Sequence, residues 1–145
     1  MNIKIKNNQR KKRLATAKLR AQLGILLRSF GHPDAELSVL FVGDTAMRSL
    51  NRRYRGIDRT TDVLSFALRE GAFSYLQPDL LGDIVISIPK ADQQAREAGY
   101  PLTREIERLL VHGLLHLMGY DHERGPAEAI RMRRRENQLM KRIAR

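Results

Sequence analysis

The chain has 145 residues, no cysteine and a formal net charge of +11, with 27 lysine and arginine residues against 16 acidic ones. This length can bury a hydrophobic core without disulfide bonds, so we expect a single domain over residues 1–145. The charge argues against an enzyme of small neutral substrates and favours a polyanionic partner, either RNA, DNA or an anionic membrane.

The sequence also predicts where the protein is located. No apolar run has the length of a membrane span, and the N-terminus lacks the apolar core of a signal peptide. The lack of cysteine fits a reducing compartment. We therefore expect a cytoplasmic protein.

Strands and helices are predicted to alternate along the chain. Strands are assigned to short apolar or alternating runs, and helices to stretches in which apolar residues recur every three or four positions. The predicted order is strand 1–6, helix 14–30, strand 36–42, helix 44–54, strand 62–68, loop 70–81, strand 82–87, helix 89–98, helix 102–118 and helix 126–143. Asp44 or Thr45 is expected to cap the second helix, and Thr103 the fourth. This order predicts a small α+β fold of the layered α/β type.

A segment dense in arginine follows the second predicted helix. Residues 51–59 read Asn-Arg-Arg-Tyr-Arg-Gly-Ile-Asp-Arg. The planar guanidinium matches phosphate geometry and a tyrosine ring can stack on a base, so the segment suits single-stranded RNA. The predicted RNA-binding residues are Arg52, Arg53, Tyr54, Arg55 and Arg59. The last helix is also strongly basic, and is either a solvated surface or a second flank facing phosphates.

Three of the four histidines, His112, His116 and His122, lie within eleven residues. The first two are one helical turn apart, so their rings lie on the same face. Gly119 can take a positive φ and end the helix, which brings the third ring back beside the other two. Catalytic zinc sites commonly use three protein ligands and leave the fourth position to water. The sequence therefore predicts one zinc ion per chain, held by these histidines.

The histidine cluster has other interpretations. The first alternative is that the three residues are core or surface histidines that lie close together by chance. The second is that they hold a structural zinc, whose fourth coordination position is filled by another protein ligand. Because cysteine is absent, that ligand would be a carboxylate or His32. Metzincin proteases share the spacing but carry a glutamate base after the first histidine, where this chain has Gly113. A peptidase of that class would lack its base.

The histidine stretch closely resembles the signature of a known family. Residues 112–122 read His-Gly-Leu-Leu-His-Leu-Met-Gly-Tyr-Asp-His, and the YbeY family signature is H-G-x-L-H-L-x-G-Y-D-H. The resemblance continues upstream, in the family's order, through Asn-Arg-Arg-Tyr-Arg-Gly at 51–56, Thr-Asp-Val-Leu-Ser-Phe at 61–66 and Gly-Asp-Ile-Val-Ile at 82–86. It therefore covers most of the chain.

The resemblance implies a metal-dependent endoribonuclease that acts on single-stranded RNA in 16S rRNA 3′-end maturation and ribosome quality control. It implies a mixed four-stranded sheet flanked by about five helices, with the metal cleft at one side. The implied partners are single-stranded RNA, rRNA and the ribosome or small ribosomal subunit, with no membrane partner. It also implies that Arg55 is essential.

The chemistry of phosphodiester cleavage assigns roles to the candidate catalytic residues, Arg55, His112 and Asp121. A zinc ion lowers the pKa of bound water to about 7 and polarises a phosphoryl oxygen. His112 would act as a ligand, Arg55 as a donor to developing charge, and Asp121 as an orienting group or proton acceptor. The alternatives are a non-catalytic RNA-binding ribosome-assembly factor with a structural zinc and a metal-dependent hydrolase of another substrate.

Overall fold

The computed structural model of the protein describes residues 1–68 and 79–144. The strands are β1 (Asn2–Asn7), β2 (Glu36–Val42), β3 (Val63–Ala67) and β4 (Leu80–Ser87). The helices are α1 (Thr16–Ser29), α2 (Asp44–Arg55), α3 (Ile88–Ala98), α4 (Leu102–Leu117) and α5 (Pro126–Ile143). A short 3-10 helix, His122–Arg124, lies between α4 and α5. No helix in these two ranges is long and apolar enough to cross a membrane.

The four strands form one mixed sheet in the order β1-β2-β4-β3. β2 pairs in parallel with both β1 and β4, whereas β3 pairs antiparallel with β4. β1 and β3 are therefore the edges. The predicted mixed four-stranded sheet with about five helices is confirmed.

The main hydrophobic core holds α4 against one face of the sheet. Its sheet side is formed by Val39, Phe41, Ile84 and Ile86, and its α4 side by Ile106, Leu109, Leu110, Leu114 and Leu115, all of them almost fully buried. Full burial of one such side chain contributes about 1.5–3 kcal/mol, so the position of α4 is strongly determined. Because His112 and His116 belong to this helix, the core also fixes where they lie.

The opposite face of the sheet is covered in part by α2. A smaller cluster of buried residues joins them, namely Val42, Met47, Leu64 and Val85. α2 crosses near β3 and β4, so its C-terminal end reaches the edge strand β3. This placement brings the end of α2 towards the histidines from the other side of the sheet.

Two predicted helix caps are wrong. α2 has Gly43 as its N-cap residue with no side-chain hydrogen bond, because the Asp44 carboxylate accepts instead from the hydroxyls of Thr60 and Ser87, at 3.1 and 2.7 Å. α4 begins directly after Pro101, also without a side-chain cap, so Thr103 already lies inside the helix. Asp44, Thr45 and Thr103 therefore all lie inside their helices rather than at the N-cap positions.

The predicted loop over residues 70–81 is only partly covered by the structure. Residues 69–78, which include most of this predicted loop, lie outside the described ranges. Its last two residues, Leu80 and Leu81, belong to β4, where Leu81 is fully buried. The strand therefore begins two residues before the predicted start.

Candidate metal centre and cleft

α4 presents the first two histidines side by side. The ring centroids of His112 and His116 are 4.7 Å apart, and their Nε2 atoms are 3.1 Å apart. Two nitrogen ligands of a tetrahedral zinc at roughly 2.0–2.1 Å from the ion are about 3.3–3.4 Å from each other. The observed spacing is therefore close to that of a shared ion.

A glycine turn brings the third histidine to the other two. α4 ends at Leu117, and Gly119 has φ +94°. The N–H groups of Gly119 and Tyr120 donate to the last carbonyls of the helix, each at 3.0 Å. The His122 ring centroid then lies 5.7 and 5.5 Å from those of His112 and His116. The predicted helix end at Gly119 is confirmed.

The three histidines fit a metal ion. One ring nitrogen from each lies within 4.8 Å of those of the other two. Burial lowers the pKa of His116, and the neighbouring rings of His112 and His122 lower it further. A metal ligand must be a neutral imidazole, so these surroundings favour the state that binds metal. The group can hold one metal ion.

Asp121 stabilises the short helix that carries His122. Its Oδ1 accepts from the Glu123 N–H at 2.9 Å, and its Oδ2 lies 3.6 Å from Nε of Arg124. Both carboxylate oxygens therefore have partners within the loop itself. Asp121 lines the same cleft as the histidines, and its catalytic role stays a prediction.

The histidines open into a cleft of about 570 Å³ between α4, the edge strand β3 and the end of α2. Its charged lining residues are Arg55, Asp62, Asp121 and Glu123. Three carboxylates against one guanidinium leave two formal negative charges when the histidines are neutral. Such a lining repels a phosphate, and a bound divalent cation would cancel the excess.

The arginine segment divides between two sites. Arg55, at the last position of α2, lines the metal cleft. The ring of Tyr54, which is 57% exposed, lies on the other face of the sheet, with its centroid 5.2 Å from that of Phe66 and 5.4 Å from the guanidinium carbon of Arg53. Arg52, Arg53 and Arg59 are exposed and stand outside the cleft lining. The structure thus brings only Arg55 of this group to the histidines.

Gly113 lies against the sheet rather than in the cleft. A Cβ at this position would lie 3.0 Å from Cγ2 of Ile84 and 3.2 Å from Oγ of Ser65. The Ser65 hydroxyl also donates to the Gly113 carbonyl, at 3.2 Å. The glycine is therefore needed for close packing of α4 on β3 and β4. This packing leaves no room for the glutamate base of a metzincin protease.

The sequence analysis missed Glu136 of α5, which approaches the metal site from behind. Its Oε2 lies 3.8 Å from Nδ1 of His112, and its Oε1 3.7 Å from Nη1 of Arg108. A signal was available in the sequence. Glu136 is four residues after Met132 and three before Leu139, both buried, so an acidic residue occupies the apolar stripe of the helix.

Comparison with known proteins identifies similar chains over nearly the whole length. The model of the family described as Endoribonuclease YbeY matches residues 3–144. A protein of that name from Geobacter sulfurreducens is 46% identical over 140 residues, covering 96% of this chain and 93% of the relative. Another from Aquifex aeolicus is 40% identical over 135 residues, covering 93% and 88%. A protein from Thermotoga maritima with a known solution structure aligns with a TM-score of 0.68 at 27% identity, covering 97% of this chain and 88% of that one.

Proposed function

We propose that this chain, which belongs to the endoribonuclease YbeY family, is an endoribonuclease that uses one zinc ion to cut single-stranded RNA. The observation that carries the proposal is the convergence of three histidine nitrogens within 4.8 Å, in a cleft that also receives Arg55. Three imidazole ligands suit zinc and leave one coordination position for water or substrate. The excess negative charge of the cleft lining supports a divalent cation.

His112, His116 and His122 would hold the ion. When bound, zinc supplies Lewis acidity, which activates water and withdraws charge from a phosphoryl oxygen. The protein fixes two of these ligands on a buried helix and the third on a loop that Asp121 stabilises. This arrangement lowers the cost of organising the site before RNA binds.

Arg55 would stabilise the charge that develops on the phosphate. Gly56 takes φ +70° and ends α2 directly after it, so the exposed guanidinium stands at the edge of the cleft. The loop that follows is held by the buried Asn51, whose side-chain NH₂ donates to the Arg59 carbonyl at 2.8 Å. The backbone on the C-terminal side of Arg55 is therefore fixed, which limits the movement needed to bring its guanidinium to the phosphate.

The remaining arginines and Tyr54 would bind the RNA on either side of the cut. Arg52, Arg53 and Arg59 are exposed and lie outside the cleft, so their side chains can adjust to the path of the RNA backbone. Tyr54 presents a largely exposed ring on which a base can stack. Phosphate and stacking contacts do not depend on the RNA sequence, and they therefore suit an enzyme that acts on single-stranded RNA.

The proposed substrate in the cell is rRNA, which the protein would cut during maturation of the 3′ end of 16S rRNA. The proposed partner is the small ribosomal subunit, and the proposed location is the cytoplasm. The family supports the substrate, and the net charge of +11 supports a large polyanionic partner. The absence of cysteine fits a reducing compartment.

The test of the function is a comparison of two RNA substrates. Purified zinc-loaded protein is incubated with a single-stranded RNA and with the same strand annealed to its complement. We expect cleavage within the single strand and little cleavage of the duplex, since a duplex cannot splay its bases or bend its backbone into the cleft. Tight binding of both RNAs without cleavage would instead favour the non-catalytic assembly factor.

A further inference from the structure

We propose that Glu136 is a positioning residue of the metal centre, whose carboxylate accepts the Nδ1–H of His112 and so orients the ring for the ion. This inference rests on the proposed metal-dependent function. It assigns to α5, the last helix, a part in the site that the histidine motif does not contain.

The geometry of His112 gives its two ring nitrogens different partners. Nε2 faces Nε2 of His116 at 3.1 Å, on the side where the ion would be held. Nδ1, on the opposite side of the ring, faces Oε2 of Glu136 at 3.8 Å. A hydrogen bond needs a donor–acceptor distance of roughly 2.7–3.2 Å. The distance between Nδ1 and Oε2 must therefore shorten from 3.8 Å into that range when the ring takes its ligand position.

Glu136 is held in place by a chain of charged groups along α4. Its Oε1 lies 3.7 Å from Nη1 of Arg108, one helical turn before His112. Arg108 is itself fixed by two hydrogen bonds to Glu105, at 2.8 and 2.7 Å. Glu105 is only 1% exposed, and it also accepts from the hydroxyl of Tyr100. The chain therefore runs from a buried anchor to the metal ligand.

The surroundings of Glu136 favour an interaction of its carboxylate with His112. Glu136 lies in the apolar stripe of α5 with its side chain 19% exposed, and partial burial of a carboxylate is costly unless it is paired. The two short hydrogen bonds of Arg108 are already directed to Glu105, and its contact with Glu136 is the longer one. Nδ1 of His112, 3.8 Å from Oε2, is a second nitrogen beside this carboxylate.

A carboxylate behind a ligating histidine has a defined effect. Acceptance of the Nδ1–H selects the tautomer whose Nε2 lone pair points at the ion, fixes the ring orientation and raises the basicity of the ligand. Mutation of such partners typically weakens metal affinity by about tenfold to a hundredfold. Glu136 would therefore act through His112, without touching RNA.

The test measures zinc affinity by competition with a chromophoric chelator, for the parent, Glu136→Ala and Glu136→Gln. Glu128→Gln is the matched control, because Glu128 lies on the same helix and pairs with Arg131, at 3.4 Å, rather than with a histidine. We expect a loss of about tenfold to a hundredfold for Glu136→Ala. Glu136→Gln, which keeps an acceptor without the charge, should lose less, and the control should match the parent.

A second readout separates positioning from a structural role. The absorption spectrum of the Co²⁺-loaded protein reports ligand geometry, and thermal unfolding of the metal-free protein reports stability. We expect an altered Co²⁺ spectrum for both Glu136 variants and an unchanged metal-free unfolding temperature for Glu136→Gln. Parental zinc affinity with a parental Co²⁺ spectrum in a folded Glu136→Gln and Glu136→Ala would overturn the proposal. If the parent binds zinc but does not cut RNA, the proposed activity fails while this comparison stands.

Discussion

The histidine cluster and the arginine segment at residues 51–59 are held in opposite ways. Two of the three histidines lie on a helix whose neighbouring residues are almost fully buried, and their rings are within contact distance of each other. The arginines and Tyr54 are exposed, and only Arg55 reaches the cleft. One region is organised before any ligand binds, and the other remains adaptable.

This difference matches the tasks we assign to the two regions. A metal ion tolerates little variation in ligand distance, so its site depends on a rigid core. An RNA strand of variable sequence needs contacts that adjust, and these come from long exposed side chains and a stacking ring. Arg55 joins the two, because it belongs to the exposed segment and lines the metal cleft. The predictions below test this division, from the largest effect to the smallest.

The largest effect is expected for His112→Ala. It removes a ligand, so both the ion and the activated water should be lost. Cleavage should fall by more than the hundred- to thousandfold that loss of one charge donor typically costs. Metal content and the rate of single-stranded RNA cleavage, measured on the same preparation, check this. Full activity in a protein without bound metal would remove the histidines from the reaction.

Arg55→Glu should separate the metal from the chemistry. No ligand is changed, so bound zinc should stay at the parental level. Cleavage should fall on the order of a hundred- to a thousandfold, because a donor to the phosphate becomes a group that repels it. Zinc analysis together with single-turnover kinetics tests both parts. A zinc-loaded variant that cuts at the parental rate would show that Arg55 takes no part in cleavage.

Tyr54→Ala should weaken RNA binding without affecting the metal. The ring lies on the other face of the sheet from the histidines, so zinc affinity should be unchanged. Loss of one stacked base costs about 1–3 kcal/mol of binding free energy. Tyr54→Phe, which keeps the ring, is the matched control and should bind RNA like the parent. Equal RNA affinity of the alanine variant and the parent would show that no base stacks there.

The smallest effect is expected for Arg53→Ala, in the salt dependence of RNA binding. Each phosphate contact on a single strand contributes roughly 0.7 to the slope of log K against log salt concentration. The parent should therefore show a steep slope, and the variant a slope lower by up to about that amount. Arg142→Ala, the same charge change on an exposed residue of α5, is the control. A parent whose binding is insensitive to salt would contradict an electrostatic contact altogether.

The secondary-structure elements and the clustering of the three histidines were predictable because their signals are local, whereas the mixed sheet was implied by the family resemblance. Residues 36–42 form β2 as predicted, since an apolar run of this length between turn residues fits a strand and is too short for a typical buried helix. The spacing of His112 and His116 follows from the helical repeat, and Gly119 signals the turn that returns His122. Each of these features can be predicted from residues that are close together in the sequence.

The remaining parts of the site depend on tertiary contacts. The carboxylate of Asp44 was expected to cap α2, but the hydroxyl of Ser87, at the end of a distant strand, competes for it. The approach of Glu136 to His112 joins residues 24 positions apart through the packing of α5 on α4. The separation of Tyr54 from Arg55, adjacent in sequence, depends on which edge of the sheet α2 reaches. Patterns along the chain do not specify such contacts.

The measurement that tests the central claim most directly is removal and restoration of the metal. The protein is dialysed against a chelator, assayed on single-stranded RNA, and assayed again after zinc is added back, with bound metal measured at each step. His112→Ala, prepared in parallel, controls for contaminating nucleases. Our account predicts that cleavage disappears with the ion and returns as one zinc binds per chain. Cleavage at the parental rate by metal-free protein, above that of His112→Ala, would contradict it.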